Sequence, residues 1–568
     1  MRLLFIAACA LLGACSQAPI KPDSTTPSAD ASNKPIELQL LALNDFHGFL
    51  NPSSFDEPGI TQGKVQAGGV AFLATKINEL SRDKSNSLVV GVGDMIGASP
   101  LVSALLQDEP AIEALNALGM RYSALGNHEF DYGLATLMRL IHGGCPSVGT
   151  PSADNPNAGC LQGRPFTGAT FQYLASNVFD AKTGATIVPA SATATIEGVR
   201  VGFVGADLTE TPRITLAKNV AGLKFTAEVQ GINNEVAKLK AQGIRSIVVM
   251  VHLGGVFEGK VDPTNCAGLK GPILELGRAL DPEVDVILSA HSHRAYICNL
   301  GAKLLTQGAS YGHLLTQIQL EIDRASGEII SKAAKHVLID STAIAPDPKL
   351  QALVAAAQNA TNAVALQPVG TLADTVTRTA DRSGESDLSR LISDAQLAAA
   401  KSSDTGSAVI ALVNEGGVRT DLPPIPYTGT EPGTPIVYGD IYSVHPFGNE
   451  IQVLELTGAE LKDVLEQSLD VGDHIIASDS LRYSVSASAA PGKRVIASTM
   501  HLNGKPIAPT DRLRVAINNY LVGGGSGQTQ LIGKPIIASA GLDRDALVAY
   551  LKAGALKDFR QMRVTRLP

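Results

Sequence analysis

The strongest constraint on the fold is a pattern that recurs along the first half of the chain, in which a short apolar run ends on Asp, Asn or His. The runs are 36–43, 87–92, 122–125, 247–251 and 284–290, and the polar residues that follow them are Asp45, His47, Asp94, Asn127, His252, His291 and His293. Open α/β sheets place their ligands at the carboxyl ends of buried strands. The pattern therefore predicts strands that bring these polar side chains to one edge of a sheet.

Stretches with helical spacing alternate with these runs, at 67–80 and 108–118, and an Ala-rich helix is predicted at 349–365. Such alternation is typical of a layered α/β domain. The chain has 568 residues, too many for one hydrophobic core, so more than one domain is expected. The expected parts are a first domain over 37–340, a linker helix over 341–368 and a second domain over 369–568.

The N-terminal residues have the character of a targeting segment. Arg2 precedes the apolar run 3–12, and Leu12-Gly13-Ala14-Cys15 resembles the lipobox of bacterial lipoproteins. We expect a signal peptide over 1–14, a lipid on Cys15 and a Ser-, Thr- and Pro-rich flexible tether over 15–36. The alternatives are a secretory signal with a chance cysteine, or a transmembrane helix, for which the run falls short of the ~20 apolar residues needed.

The overall charge argues against one class of partner. The chain carries 46 Lys and Arg against 54 Asp and Glu, a formal net charge of -8. Binding to a nucleic acid polymer requires a basic surface stripe, so it is not expected. A local cluster of cations can still hold a nucleotide phosphate within an acidic protein.

Six cysteines are present, and Cys9 and Cys15 belong to the signal region. The remaining four, which would be oxidised in an exported protein, are Cys145, Cys160, Cys266 and Cys298. Three pairings are possible, and local closure favours Cys145 with Cys160 and Cys266 with Cys298. A zinc site built from cysteines is disfavoured because no Cys-x-x-Cys spacing is present.

The polar residues at the strand ends have the donor types of metal ligands. They offer carboxylate, amide and imidazole donors without a thiolate, a set that suits Zn, Mn, Co or Mg. A single His at a strand end is more often a core or surface residue, but five of the eleven histidines lie at such ends. The short spacings at 45–47 and 291–293 let two ligands converge, so we predict a site for two divalent metal ions.

These motifs together resemble those of a known family. The motifs are Asn44-Asp45-x-His47-Gly48, Gly93-Asp94, Gly126-Asn127-His128-Glu129-Phe130-Asp131 and Ala290-His291-Ser292-His293. In this order they resemble the motifs of the calcineurin-like metallophosphoesterases, and the Phe130-Asp131 extension with the second domain is similar to the 5'-nucleotidase family. The resemblance implies a four-layer α/β/β/α catalytic domain and a smaller C-terminal α/β domain that binds substrate. The chain departs from the family pattern at Ala290, where Gly is usual, and at His293, where several nucleotidases have Gln or Asn.

The resemblance also implies a role for each residue of the first domain. One ion would be held by Asp45, His47 and His293, a second by Asn127, His252 and His291, with Asp94 as the bridge. Two ions ~3.5 to 4 Å apart can clamp phosphoryl oxygens and activate a water for attack on phosphorus. His128 would stabilise transition-state charge and assist the leaving oxygen, with Asp131 orienting it. Glu129 is expected to be structural.

Substrate contacts are implied for the second domain. Three arginines, Arg378, Arg382 and Arg419, would contact phosphate or a carboxylate-like edge of the substrate. Asn414 would contact the base, and the aromatic residues Phe447 and Tyr520 would sandwich it. Arginine pairs bidentately with phosphate, and aromatic stacking tolerates any base. Ser526 stands where the family has the Asp that binds the ribose hydroxyls. Nucleoside polyphosphates, deoxynucleotides, nucleotide sugars and cyclic nucleotides therefore all stay open as substrates.

The activity implied is hydrolysis of nucleotides to nucleoside and phosphate, of the 5'-nucleotidase type. The enzyme alternatives are a 2',3'-cyclic nucleotide phosphodiesterase with 3'-nucleotidase activity, or a UDP-sugar hydrolase. A different class is a catalytically idle nucleotide-binding lipoprotein. The chain is expected to be an exported monomer, lipid-anchored to a bacterial membrane, the outer one by resemblance of Ser16 to sorting signals, or periplasmic.

Overall fold

The computed structural model describes residues 34–145, 165–257, 262–423, 435–470, 474–554 and 558–568. The predicted signal peptide, Cys15, nearly all of the tether and Cys160 lie outside these residues. Within the described ranges, no helix combines the length and the apolar character needed to cross a bilayer.

The first domain contains two six-stranded sheets. The strand order of the first is Ile329–Leu338, Leu314–Ile322, Ile36–Leu43, Ser87–Val92, Met120–Ala124 and Gln172–Leu174. The strand order of the second is Ala295–Leu300, Lys303–Gly308, Val284–Ser289, Ser246–Val251, Val199–Ala206 and Ser191–Ile196. The strands that precede the predicted ligands run parallel to one another within each sheet, so their carboxyl ends lie at one edge.

The two sheets pack face to face, and helices cover their outer faces. Leu40 and Val90 of the first sheet meet Phe203 and Met250 of the second in one core, whereas the alternate residue Leu41 packs under helices. Strands buried on both faces are apolar at nearly every position, which explains the uninterrupted runs in the sequence. The covering helices are Val70–Ser81, Leu101–Ala104, Glu109–Ala117, Leu134–His142 and Pro348–Ala365 on the first sheet, and Glu228–Ala241 and Pro272–Ala279 on the second. The four-layer α/β/β/α prediction is confirmed.

The predicted linker helix is present as Pro348–Ala365. Its first turn is capped by Asp347, whose Oδ1 accepts hydrogen bonds from the amides of Lys349 and Leu350 at 3.0 Å each. The helix packs into the core of the first domain, and its last turn places Val364 against Tyr442 of the second domain. This helix is therefore fixed against the catalytic domain along its length.

The second domain is also α/β. Its five-stranded sheet has the order Ile475–Ala477, Ile410–Asn414, Arg512–Asn518, Glu450–Thr457 and Ile536–Leu542, and its four-stranded sheet the order Lys505–Pro506, Val495–Leu502, Leu481–Ser486 and Val564–Leu567. Its helices are Asp387–Ala399, Tyr438–Val444, Gly458–Ser468, Asn519–Val522 and Asp543–Ala553. The apolar segments 409–414 and 514–517 lie in neighbouring parallel strands of the larger sheet.

One predicted disulfide is confirmed. Cys266 and Cys298 are bonded, with Cα atoms 5.1 Å apart. Cys145 is also disulfide-bonded, and its predicted partner, Cys160, lies outside the described residues. The bonded pair ties a surface loop to the edge strand Ala295–Leu300 of the second sheet.

Candidate active site

The seven predicted metal ligands come together at the carboxyl ends of the parallel strands. The residues that are at most 2% exposed are Asp45, His47, Asp94, Asn127 and His252. Five of the seven have positive φ, namely Asp45 at 42°, His47 at 49°, Asp94 at 53°, His291 at 73° and His293 at 55°. Left-handed backbone at a non-glycine residue costs about 1–3 kcal/mol and concentrates at functional sites. The strain here turns each side chain off the end of its strand and into a shared centre.

The donor atoms form two groups, and Asp94 lies between them. Asp45, His47 and His293 have donor atoms within 4.8 Å of one another, and so do Asp94, His252 and His291. Asp94 Oδ2 lies 3.6 Å from His47 Nε2 and 3.0 Å from His252 Nε2. The Asp94 carboxylate therefore faces both groups, as a bridging ligand must.

Backbone carbonyls fix the tautomers of two of these histidines. His47 Nδ1 donates to the carbonyl of Gly97 at 2.8 Å, and His252 Nδ1 donates to the carbonyl of Val92 at 3.0 Å. A carbonyl can only accept, so Nδ1 carries the proton and Nε2 keeps its lone pair for a metal ion. Both Nε2 atoms point toward Asp94.

The chemistry of the cluster fits divalent cations. Asp45 Oδ2 and Asn127 Oδ1 are buried and have no hydrogen-bond partner within the described part of the chain. Burial raises the pKa of Asp45 to about 7 and lowers the pKa of His291 to about 3. Bound cations would compensate the buried carboxylate, and a neutral imidazole is the form that binds metal. The residues present therefore match a pair of divalent ions.

Glu129 is structural, as predicted. Its carboxylate accepts hydrogen bonds from the amides of Asp94 at 2.8 Å, Met95 at 2.8 Å and Gly126 at 2.6 Å. These bonds tie the loop after Ser87–Val92 to the 3-10 helix Asn127–Phe130. Glu129 thus sets the position of the Asp94 backbone without entering the metal cluster.

His128 lies beside the cluster and is held by Asp131. His128 Nδ1 is 2.9 Å from Asp131 Oδ2, which also accepts from the Ala98 amide at 2.7 Å. Burial lowers the pKa of His128, but the charges of Asp131 and Asp94 outweigh burial, and the pKa is raised. Because Nδ1 is bonded to Asp131, Nε2 is the nitrogen that can reach a substrate oxygen.

A large cavity between the domains joins the cluster to most of the predicted substrate residues. It has a volume of about 800 Å³, within the range of ligand sites at ~300–1,000 Å³. Its lining includes, from the first domain, Asn127, His128, Asp131 and His291, and from the second, Asn414, Arg419, Phe447 and Tyr520. The Phe447 ring stacks on the His128 ring with centroids 5.7 Å apart. The two domains therefore build one site.

Two predicted arginines lie elsewhere. Arg378 lines a smaller cavity of about 420 Å³, which Arg419 also lines, and Arg378 Nη1 donates to the Arg419 carbonyl at 2.6 Å. Arg382 is exposed, its Nε lies 3.3 Å from Met562 Sδ, and it lines neither of these two cavities. The structure thus brings Arg419 to the metal cluster, places Arg378 next to it and leaves Arg382 outside.

The motifs did not reveal Tyr311. Its ring stacks on Phe49 with centroids 3.9 Å apart, and it lies 5.7 Å from the His47 ring and 5.3 Å from the His293 ring. Tyr311 follows the strand Lys303–Gly308, so it too lies beyond a strand end. The sequence signal that could have predicted Tyr311 is this strand. Its residues are less uniformly apolar than the runs that predicted the other strands.

Ser526 contacts Tyr520, which lines the cavity. Its amide and its hydroxyl lie 3.0 Å and 3.2 Å from the Tyr520 hydroxyl, and its own φ is 50°. Ser526 therefore fixes the phenol of Tyr520. It offers no carboxylate to a ribose.

Comparisons with known proteins agree with this arrangement. The family model of the calcineurin-like phosphoesterases matches residues 38–295, and that of the 5'-nucleotidase C-terminal domain matches 368–532. The chain is 28% identical to the endonuclease YhcR of Bacillus subtilis over 93% of this chain, but it spans only 41% of the length of that relative. It is 26% identical to the 5'-nucleotidase of Bos taurus, covering 87% of this chain and 84% of the relative.

A solved structure shows the same fold. The 5'-nucleotidase precursor from Thermus thermophilus superposes with a TM-score of 0.74 at 24% identity, covering 94% of this chain and 99% of that one. The two matched domain models, their order and the donor cluster at the strand ends all agree. The chain therefore belongs to the 5'-nucleotidase family of metal-dependent phosphoester hydrolases, with a calcineurin-like phosphoesterase domain followed by a 5'-nucleotidase C-terminal domain.

Proposed function

We propose that the chain hydrolyses nucleoside 5'-monophosphates to nucleoside and inorganic phosphate. The observation that carries the proposal is that one cavity of about 800 Å³ is lined by metal-cluster residues, by His128 and by Asn414, Phe447 and Tyr520. A nucleotide placed there would set its phosphate at the cluster and its base in the second domain. Two ions of Zn, Mn, Co or Mg, held by Asp45, His47, His293, Asn127, His252, His291 and the bridging Asp94, would polarise the phosphoryl oxygens and activate a water.

The side chains around the cluster would divide the remaining work. His128, kept protonated by Asp131, would donate a proton to the leaving 5'-oxygen from Nε2. The Arg419 guanidinium carbon lies 5.8 Å from the centroid of the Phe447 ring, and the charge of Arg419 would stabilise the phosphoryl oxygens. Both residues would act on the same phosphate, His128 from the first domain and Arg419 from the second.

The base would stack on aromatic rings of the second domain. Phe447 and Tyr520 both line the cavity, and Ser526 holds the Tyr520 hydroxyl in place. Asn518 Nδ2 donates to Asn414 Oδ1 at 3.0 Å, which fixes the orientation of the Asn414 amide beside the base. Stacking of this kind accepts every base, so we expect purine and pyrimidine nucleotides to bind.

Ser526 favours a second candidate activity. Ser526 stands where the resemblance puts a ribose-binding Asp, and because it bonds to Tyr520 and brings no carboxylate, it supplies no such acceptor to free ribose hydroxyls. Substrates whose ribose hydroxyls are esterified would lose little binding affinity without this acceptor. A 2',3'-cyclic nucleotide phosphodiesterase with 3'-nucleotidase activity is therefore the alternative, and UDP-sugar hydrolysis is the next one.

One substrate panel tests these proposals. Phosphate release and product identity are measured for 5'-AMP, 3'-AMP, 2',3'-cyclic AMP and UDP-glucose with the metal-loaded protein. We expect the highest kcat/KM for 5'-AMP. A preference for the cyclic nucleotide and 3'-AMP would replace the proposal with the phosphodiesterase, and a preference for UDP-glucose with the sugar-nucleotide hydrolase. Binding of nucleotide without any hydrolysis would establish the idle binding protein instead.

We also propose that the chain is an exported monomer, anchored by a lipid on Cys15. The Cys266–Cys298 disulfide supports an oxidising compartment, and a Listeria monocytogenes relative is named a cell wall protein. Replacing Cys15 by serine is expected to move the protein from the membrane fraction to the soluble fraction, measured by immunoblot after fractionation. Retention of the Cys15→Ser protein in membranes would rule the anchor out. Light scattering of the soluble form tests the monomer.

A further inference from the structure

A buried arginine that no motif predicted lines the cavity between the domains. Arg544 lies in the first turn of the helix Asp543–Ala553 and is 6% exposed. Its guanidinium carbon is 4.3 Å from the centroid of the Tyr442 ring, and Nη1 makes a long contact of 3.4 Å with the Pro446 carbonyl. Arg544 is therefore held in place by an aromatic face and one carbonyl.

The charge of Arg544 is not compensated by an ion pair. Arg544 Nε is buried and has no hydrogen-bond partner, and no ion pair to Arg544 forms among the described residues. The neighbouring carboxylate of Asp543 is engaged by His445 Nδ1 at 3.1 Å and by the Arg544 amide at 2.7 Å. A buried cation without a partner is costly unless a ligand supplies the opposite charge.

Arg544 is separate from the arginine at the metal cluster. Arg419 lies over the Phe447 ring, which itself stacks on His128. The Arg544 guanidinium instead lies next to Gly448, where a Cβ atom would come within 3.3 Å of Nη2. The cavity thus holds two buried or partly buried guanidinium groups at different places, whereas its one lining carboxylate, Asp131, is bonded to His128.

We propose that Arg544 binds a second phosphoryl group of the substrate while the scissile phosphate lies at the metal cluster. Among nucleotides with a terminal phosphate monoester, the preferred substrates are then those that carry a second phosphoryl group. The second one is either a further phosphate on the chain at the 5'-position or a phosphate on another ribose hydroxyl. This rests on the proposed function, because it assumes that the cavity takes a nucleotide. Arginine suits this task because its planar fork pairs with two phosphoryl oxygens.

The test compares 5'-AMP, ADP and adenosine 3',5'-bisphosphate on the metal-loaded wild-type protein, Arg544→Gln and Arg544→Lys. In the wild type, KM for ADP or for the bisphosphate is expected to be about tenfold below KM for 5'-AMP. Arg544→Gln should remove that difference, and Arg544→Lys should retain part of it. Whichever doubly phosphorylated substrate shows the effect identifies the source of the second phosphate. Arg512→Gln, an exposed arginine of the same domain, is the matched control and should leave the ratio of KM values unchanged.

Equilibrium binding of the same three nucleotides to EDTA-treated protein gives a readout that needs no turnover. Wild-type protein that hydrolyses 5'-AMP but shows no preference for a second phosphate would overturn the role of Arg544 alone. Equal losses on all three substrates in Arg544→Gln would do the same, since they would show that Arg544 only supports Tyr442. An effect of Arg544→Gln that depends on the base, measured with GMP and AMP, would also overturn the proposal. If no nucleotide is hydrolysed, the proposed function fails, and the Arg544-dependent difference in binding still decides this inference.

Discussion

Replacing Asp94 with alanine is expected to release both metal ions and to lower phosphate release by about a thousandfold or more, because bound metal supplies several kcal/mol of transition-state stabilisation. Asp94 is the residue that faces both donor groups, at 3.6 Å from His47 Nε2 and 3.0 Å from His252 Nε2. Without the Asp94 carboxylate, the two ions lose the shared anion that would hold two cations close together.

The measurement is metal content by mass spectrometry together with the rate of phosphate release. Asp83→Ala, an exposed acid of the same domain, is the matched control and should keep both ions and full activity. Circular dichroism shows whether the Asp94 variant remains folded. Two tightly bound ions in a folded Asp94→Ala protein would remove Asp94 from the bridging position.

The fold of the catalytic domain could be predicted from the sequence because its strands are marked by local apolar runs. Strands buried between another sheet and a layer of helices are apolar throughout. Each apolar run in the sequence therefore predicted both a strand and the position of its carboxyl end. Asp45 and His291 followed directly from this, since each lies just past such an end. Even so, the positive φ of these residues could not be foreseen, because backbone strain is stabilised by surroundings that the sequence does not display.

The substrate side was harder to predict, because residues from distant segments meet across the domain boundary. Arg378 and Arg382 are four residues apart in a loop before the helix Asp387–Ala399. In that loop Arg378 turns toward Arg419, whereas Arg382 turns toward Met562. Arg544 belongs to no motif, and only the folded chain shows that it lines the cavity. Spacing is informative within a helix or a strand and loses its meaning in a loop.

Replacing His128 with alanine is expected to lower kcat by about 10²–10⁴-fold while leaving both ions bound, since this is the contribution of a positioned general acid. His128 Nδ1 is engaged by Asp131 at 2.9 Å, and the raised pKa keeps a proton on the ring for the leaving oxygen. Asp131→Asn should lower kcat by less, because the amide can still orient the ring but no longer supplies the negative charge. His142→Ala, an exposed histidine of the same domain, is the control for a loss of imidazole.

Metal analysis of His128→Ala decides between two roles that the geometry allows. His128, His47 and Asp94 have donor atoms within 4.8 Å of one another, so the imidazole is close enough to join the cluster. If His128 were a ligand, its removal would lower the metal content. KM and kcat would then change together. If it acts on the leaving group, both ions stay and the loss is largest for substrates with a poor leaving group, such as 5'-AMP. The loss of activity is then small for p-nitrophenyl phosphate, whose leaving oxygen needs no proton. Equal losses on 5'-AMP and p-nitrophenyl phosphate would exclude the role of His128 as an acid.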